Sequence, residues 1–284
     1  MTEERRGAAI DSGSVTEEIA RGGTWGFYLR TLLSDPRKIF VGVRDTLVET
    51  ARFVLWPREP LPFPLARRAW LVGRFVLAEL RVPGATSVLE TVWLAYALAR
   101  VRSPARDWVE VGCFKGLSTV RLSLLAELLD RQLHVFDTFA GLPGEDAVYE
   151  TVDGSPAYHF RKGSYRAARD EVERNLRLHG RAGRVRLVAG DVRETLAREA
   201  PARVAFAFLD VDLEESYRAC FEGLARSLEA GSVVVIAEAA FKPIRALVES
   251  TPFWQGLGLA PPRIVYVHDR FGIPSCHNLA FLEW

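Results

Sequence analysis

Apolar positions along this 284-residue chain follow two rhythms, and the change comes just before Trp108. Upstream the spacing is helical. In "DPRKIFVGVRDTLVETARFVLW", Phe40, Val43, Leu47, Val54 and Leu55 recur at helical intervals, with Arg44, Asp45, Glu49 and Arg52 between them. Asp35 is placed to cap that helix and Pro36 to take its first position. The three prolines of "REPLPFPL" (58–65) break the pattern. "ARRAWLVGRFVLAELRV" then predicts a second helix and "TSVLETVWLAYALARV" (86–101) a third. Residues 1–22 are polar and read as a disordered tail. That leaves 23–101 as a helical extension and 102–284 as the main domain.

From Trp108 the rhythm becomes strand, loop, helix. Candidate strands are "WVEVG" (108–112), "LHVFD" (133–137), "VRLVAG" (185–190), "VAFAFLDV" (204–211) and "SVVVIAEA" (232–239). Helical text fills 117–130, 164–179, 193–199, 215–229 and 242–250. Near-continuous apolar strands alternating with helices predict an α/β fold, a mostly parallel sheet covered on both faces. "RIVYVHD" (263–269) and "NLAFLEW" (278–284), joined through Gly272 and Pro274, predict a closing antiparallel hairpin and bring the strands to seven.

Charge narrows the function. Lys+Arg number 37 against 36 Asp+Glu, a balance that argues against nucleic acid as a partner. Cys113, Cys220 and Cys276 are far apart and lack metal-ligand spacing, as expected of reduced thiols in a cytoplasmic protein. No stretch is long and apolar enough for a secretory signal or a membrane span. The arginines and tryptophans of the helical extension suit a membrane surface, but the acidic residues on the same helices would oppose anionic lipid. The expectation is therefore a cap over the main domain or a face pairing two subunits.

"VEVGCFKGLSTV" carries the chemistry. Its first strand runs into Gly112 and Gly116 with no glycine between them, and Phe114 sits where a pyrophosphate would need close approach. The match to dinucleotide binding is poor. An E-x-G-x-x-x-G turn suits S-adenosylmethionine better: Glu110 can meet its ammonium, and backbone amides with the hydroxyl of Ser118 or Thr119 its carboxylate. Asp137 ends the second strand about 20 residues later, where an acidic side chain reaches a ribose diol. Thr138 follows it, and Gly190 and Asp191 close the third strand beside the expected adenine.

Taken together, "VEVGCFKGLSTV", "VFDTFAGLP" and "LDVDLEESYRACFEGLARSLEAGSVVVI" resemble the macrocin O-methyltransferase family, over roughly residues 82–250. "DTFAGLP" (137–143) is the most specific element. The resemblance implies a class I methyltransferase sheet, S-adenosylmethionine as cofactor and a small-molecule acceptor, a hydroxyl on a natural-product sugar or polyketide-like scaffold. It also implies magnesium, held by an aspartate after the fourth strand and two acidic residues after the fifth. Asp210 matches the first. Ala237 stands in place of one of the pair, leaving Glu238, so any metal would have Asp210 and Glu238 alone, and magnesium is doubtful. Asp210, Asp212 and Glu238 are the candidate catalytic residues, with Asp210 also near the cofactor. His268 and His277 are alternative bases, and His159 lies in a segment placed to act as a lid. The lost carboxylate keeps other readings open: an N-methyltransferase, a non-methylating cyclase or isomerase, or a non-catalytic binding protein on the same fold.

Overall fold

The protein is described by a computed structural model covering residues 9–19, 36–144, 146–152, 154, 157–267 and 279–284. Strand β2 (Asp107–Val111) is followed by α5 (Leu117–Leu128) and β3 (Gln132–Asp137). Then come α6 (Arg169–His179), β6 (Val185–Ala189), α7 (Val192–Glu199), β7 (Val204–Leu209), α8 (Glu214–Leu224) and β8 (Leu228–Ile236). Helices α9 (Lys242–Glu249) and α10 (Thr251–Gly256) precede β9 (Arg263–Tyr266) and β10 (Ala280–Glu283). The sheet order is β6-β3-β2-β7-β8-β10-β9, parallel except for β10, which runs antiparallel to both neighbours. The α/β reading and the closing antiparallel pair are therefore correct. The residues expected to turn between β9 and β10 lie outside the described ones.

Alternation along each strand builds two cores. Trp108, Phe206 and Phe208 point to one face, beneath α4 (Val88–Arg100) and α5. Val109, Val111, Ala207 and Leu209 point to the other, beneath α7, α8 and α9. Every residue of β7 is buried, which is why its sequence is unbroken apolar text. Trp108 meets Phe206 edge-on at 5.6 Å between ring centroids; each such ring, fully buried, contributes roughly 1.5–3 kcal/mol. Because β3 and β6 lie on one side of β2 and β7 on the other, the order reverses at β2/β7. The crevice beyond those strand ends is where open α/β sheets hold ligands.

The N-terminal helices α2 (Pro36–Leu55) and α3 (Leu65–Arg81) pack with α4. Ser87 and Glu90 form a reciprocal capping box that fixes the start of α4: Ser87 Oγ accepts from Glu90 N at 3.1 Å and Glu90 Oε2 from Ser87 N at 2.5 Å. Trp93 and Tyr96 carry α4 into the same core as Trp108 and Phe281, so the extension shares the sheet's core. Arg121 of α5 fastens α3. It is fully buried, and its guanidinium donates to the carbonyls of Phe75 and Thr86 (2.9 and 2.8 Å) and to Glu79 Oε2 (2.6 Å).

The expectation of a disordered tail over 1–22 is corrected at residues 9–19. Ile10–Asp11 (β1) pairs parallel to β5 (Tyr158–Phe160), which pairs antiparallel with β4 (Ala147–Tyr149). Residues 12–19 form helix α1. Polar chemistry rather than an apolar run anchors it: buried Ser12 donates to Ser164 Oγ (3.0 Å) and accepts from Arg161 N (2.8 Å), and Asp11 pairs with Arg161. Val15 and Ile19 bury the inner side.

Candidate active site

The turn after β2 is built around close approach. Gly112 has φ +82°, and a Cβ there would lie 1.9 Å from the carbonyl oxygen of Asp210. Only glycine lets the ends of β2 and β7 touch. Gly116 (φ +83°) starts α5, and a Cβ on it would lie 2.9 Å from Val172 Cγ1. Asp137 closes the turn: Oδ2 accepts from Cys113 N (2.7 Å) and Phe114 N (3.3 Å), Oδ1 from Phe139 N (2.7 Å). Two amides expected to face a ligand are thus engaged by Asp137. Of a carboxylate's roughly four acceptor positions three are used, so at most about one is open for a ribose hydroxyl.

Glu110 is the unusual group. It is fully buried, and neither carboxylate oxygen makes a hydrogen bond of good geometry, although the Ser118 and Thr119 hydroxyls lie close enough to act on it. Burial pushes the Glu110 carboxyl up to about 8, with Asp210 and Asp137 adding to the rise and the Ser118 and Thr119 hydroxyls opposing it. A buried acid without a well-formed hydrogen bond costs on the order of 1–3 kcal/mol. The group is therefore prepared for a polar or cationic ligand.

Beyond β7 and β8 lie the other carboxyls. Burial holds Asp210 up at about 6 and Asp212 and Glu238 well above their usual range, and Asp210 and Glu238 are close enough to hydrogen-bond. The Tyr217 hydroxyl of α8 lies within hydrogen-bonding reach of Leu209 O (3.0 Å) and Glu238 Oε2, to one of which its single proton goes, while its oxygen accepts from Ala237 N at 3.2 Å. Asp212 sits at φ +61°, and Phe114, Phe139 and Tyr165 are also left-handed. Backbone held this way by non-glycine residues costs of order 1–3 kcal/mol each and gathers at functional sites. Sequence reasoning missed Tyr217, whose signal was only the inner face of an amphipathic helix. It missed Glu90 as well, whose carboxyl is pushed up to about 8 chiefly by burial, with a contribution from Asp210.

The β4–β5 hairpin closes over this edge. Tyr158, Phe160, Tyr149 and Phe241 meet one another edge-on or tilted, with centroids 4.8–6.1 Å apart. Tyr158 bonds Tyr165, whose ring meets Phe114. His159 alternates to the opposite side, between Asp11 and Asp146 at 3.6 Å from each.

A sequence model of the macrocin O-methyltransferase (TylF) family matches residues 95–257. The chain belongs to that family. A curated relative from Streptomyces olivaceus, 8-demethyl-8-(2,3-dimethoxy-alpha-L-rhamnosyl)-tetracenomycin-C 4'-O-methyltransferase, is 29% identical over 146 residues. The match covers 50% of this chain and 56% of the relative, so it spans little more than half of that protein's length. The crystal structure of CalS11, a calicheamicin methyltransferase, superposes with a TM-score of 0.53 over 85% of this chain and 92% of its own, at 21% identity. That likeness is one of fold.

Within this macrocin-family site the remaining expected residues have local duties. Thr138 Oγ1 donates to Gly141 O at 2.8 Å and shapes the "DTFAGLP" turn. Asp191 caps α7 by accepting from Arg193 N at 2.9 Å and pairs with the Arg193 guanidinium. Gly190 N donates to Asp137 O at 3.0 Å, which brings the third strand end beside the second. His268 and His277 lie outside the described residues. The implied magnesium does not fit the donor set. Ala237 supplies a methyl, Tyr217 occupies one Glu238 oxygen, and Glu238 and Asp210 are within hydrogen-bonding reach of each other. Among the described residues no three His, Cys, Asp or Glu side chains cluster as ligands.

Proposed function

We propose that the protein is an S-adenosylmethionine-dependent O-methyltransferase acting on a hydroxyl of a sugar or polyketide-like natural product. The observation that carries the reading is Glu110, a fully buried acid with no well-formed hydrogen bond and only the Ser118 and Thr119 hydroxyls acting on it, beside the glycine turn in a member of this family. The curated relative's name, a 4'-O-methyltransferase of a rhamnosylated tetracenomycin, supports a glycosylated acceptor.

Bound S-adenosylmethionine supplies an electrophilic methyl on a sulfonium. Glu110 would meet the ammonium and the Ser118 or Thr119 hydroxyl the carboxylate of the methionine end, and Asp137 would keep the turn closed while offering its open acceptor position to the ribose. Gly112 and Gly116 give the ligand access to the strand ends. Asp210, the carboxyl of lowest pKa in the acidic group, is the one ionised near neutral pH and would accept the acceptor's hydroxyl proton. Glu238, held up by burial and by its acidic neighbours, stays protonated and steadies it, with Tyr217 fixing Glu238 in turn. Asp212 would orient the acceptor under the β4–β5 hairpin.

Isothermal titration tests this directly. S-adenosylmethionine and its demethylated product bind with micromolar affinity, and Glu110→Ala weakens both by roughly tenfold or more. Absence of heat with both ligands would reject the cofactor. Binding without transfer to any glycosylated polyketide would favour the alternative chemistries or a non-catalytic role.

A further inference from the structure

Surface helices ordinarily hide the apolar row and show the charged one. Helices α2 and α3 also leave apolar rows exposed, and α2 turns two acids inward. On α2 the row Val43, Leu47, Ala51 and Leu55 is exposed, as is the adjoining row Arg44, Val48, Arg52 and Trp56. The row turned inward is Asp45, Glu49 and Phe53, all buried. On α3 the exposed row is Ala69, Trp70, Gly73, Val76, Leu77 and Leu80, while Leu71, Phe75, Ala78 and Glu79 face in. Trp56 is 75% exposed and Leu47 65%. Exposed apolar side chains in rows on neighbouring helices mark a contact surface.

The charges on that surface have one sign. Between residues 43 and 82 no carboxylate is exposed. Glu49 is buried against Arg58 and Arg52, Glu79 against Arg121, Asp45 is buried beside Arg44, and Glu59 reaches Arg100. Arg44, Arg52, Arg67 and Arg81 are exposed, the first two also paired with Asp45 and Glu49, while the Arg58 guanidinium is taken up by Glu49. The acidic residues of these helices lie on their inner side rather than on the exposed face.

We propose that α2 and α3 lie on the surface of an anionic bilayer, their apolar rows sunk to the acyl boundary and their arginines among the lipid phosphates. The arginine stems can cover apolar surface while their heads reach charge, and Trp56 and Trp70 suit the same boundary. A second copy of the chain is the poorer occupant. A two-fold contact would set arginines against arginines with no exposed carboxylate to answer them. No described helix is long and apolar enough to cross the membrane, so the attachment is peripheral and independent of the active-site reading.

The test floats the full chain with phosphatidylcholine vesicles and with vesicles containing phosphatidylglycerol as well. Binding to the anionic vesicles exceeds that to the neutral ones by roughly tenfold or more and falls as salt rises. Leu47→Ser with Trp56→Ser, or Val76→Ser with Leu80→Ser, lowers it by roughly another tenfold. These positions are exposed, and unchanged circular dichroism confirms the fold. Failure to float with anionic vesicles at low salt overturns the proposal, as does binding by both double variants equal to that of the unaltered chain. Light scattering that shows a dimer dissociated by the same substitutions would instead assign the face to a second copy.

Discussion

At position 237 a methyl stands where the resemblance implies a carboxylate, and its neighbours respond. With about 4 Å between charges and an effective dielectric near 20, one carboxylate is worth roughly 4 kcal/mol of attraction per unit of ion charge before desolvation. Without it, Asp210 and Glu238 are left beside each other, with the Tyr217 hydroxyl against the latter. Methyl transfer should therefore survive exhaustive chelation, with magnesium added back changing turnover less than about twofold. Asp210→Asn should lower kcat by roughly 100-fold through loss of the proton acceptor. The rate should rise with pH through about 6, where Asp210 ionises. Recovery of turnover from zero by micromolar magnesium would show that the two carboxylates hold a metal after all.

Between elements, one buried cation fastens α3 to α5 alongside their apolar packing. Arg121→Met leaves Glu79 buried without its partner and three donors' worth of carbonyls without a bond, and should cost roughly 3–5 kcal/mol. Adding Glu79→Gln should recover a good part of that loss, because the stranded charge is then gone. Denaturant midpoints of the two variants decide it, and equal midpoints would show that the ion pair contributes little to the junction. This junction was not legible in the sequence, since an arginine among leucines in "VRLSLLAELL" gives no sign of a partner more than 40 positions upstream. The central strands β2, β7 and β8 were legible for the opposite reason: parallel strands buried on both faces write their burial as continuous apolar text. Strands β1, β4 and β5 have only two or three residues each and depend on one another and on Phe241, so no local pattern marks them. The glycine turn could be read because close approach admits one residue type. The inward turn of Asp45 and Glu49 was also present in the text, four positions apart in the row of Phe53, although charge alone suggested an outward face.

Across the whole molecule, a formal net charge of +1 conceals an acidic interior. Folding brings Glu90 from α4, Glu110 from β2, Asp210 and Asp212 from beyond β7 and Glu238 from beyond β8 toward one edge of the sheet. Burial raises all five. The folded chain therefore holds more protons than the unfolded one through the neutral range. Stability from this source is complete below the unfolded carboxyl values near pH 4. It is lost as pH rises through the folded ones, about 6 for Asp210 and about 8 for Glu110 and Glu90. The unliganded protein should be less stable at pH 8.5 than at pH 6. Glu110 alone accounts for up to a few kcal/mol, or several degrees in Tm at about 2–4 °C per kcal/mol. Glu110→Gln should remove its share of that slope. A cationic ligand against Glu110 should do the same in the native protein by drawing its carboxyl back toward the ordinary range. S-adenosylmethionine binding near pH 7 should consequently release up to about one proton, seen as a binding heat that varies with the ionisation enthalpy of the buffer. A heat that does not vary with buffer, together with a Tm that is flat or rising from pH 6 to 8.5, would mean that Glu110 is already ionised in the free protein and does not meet the ammonium.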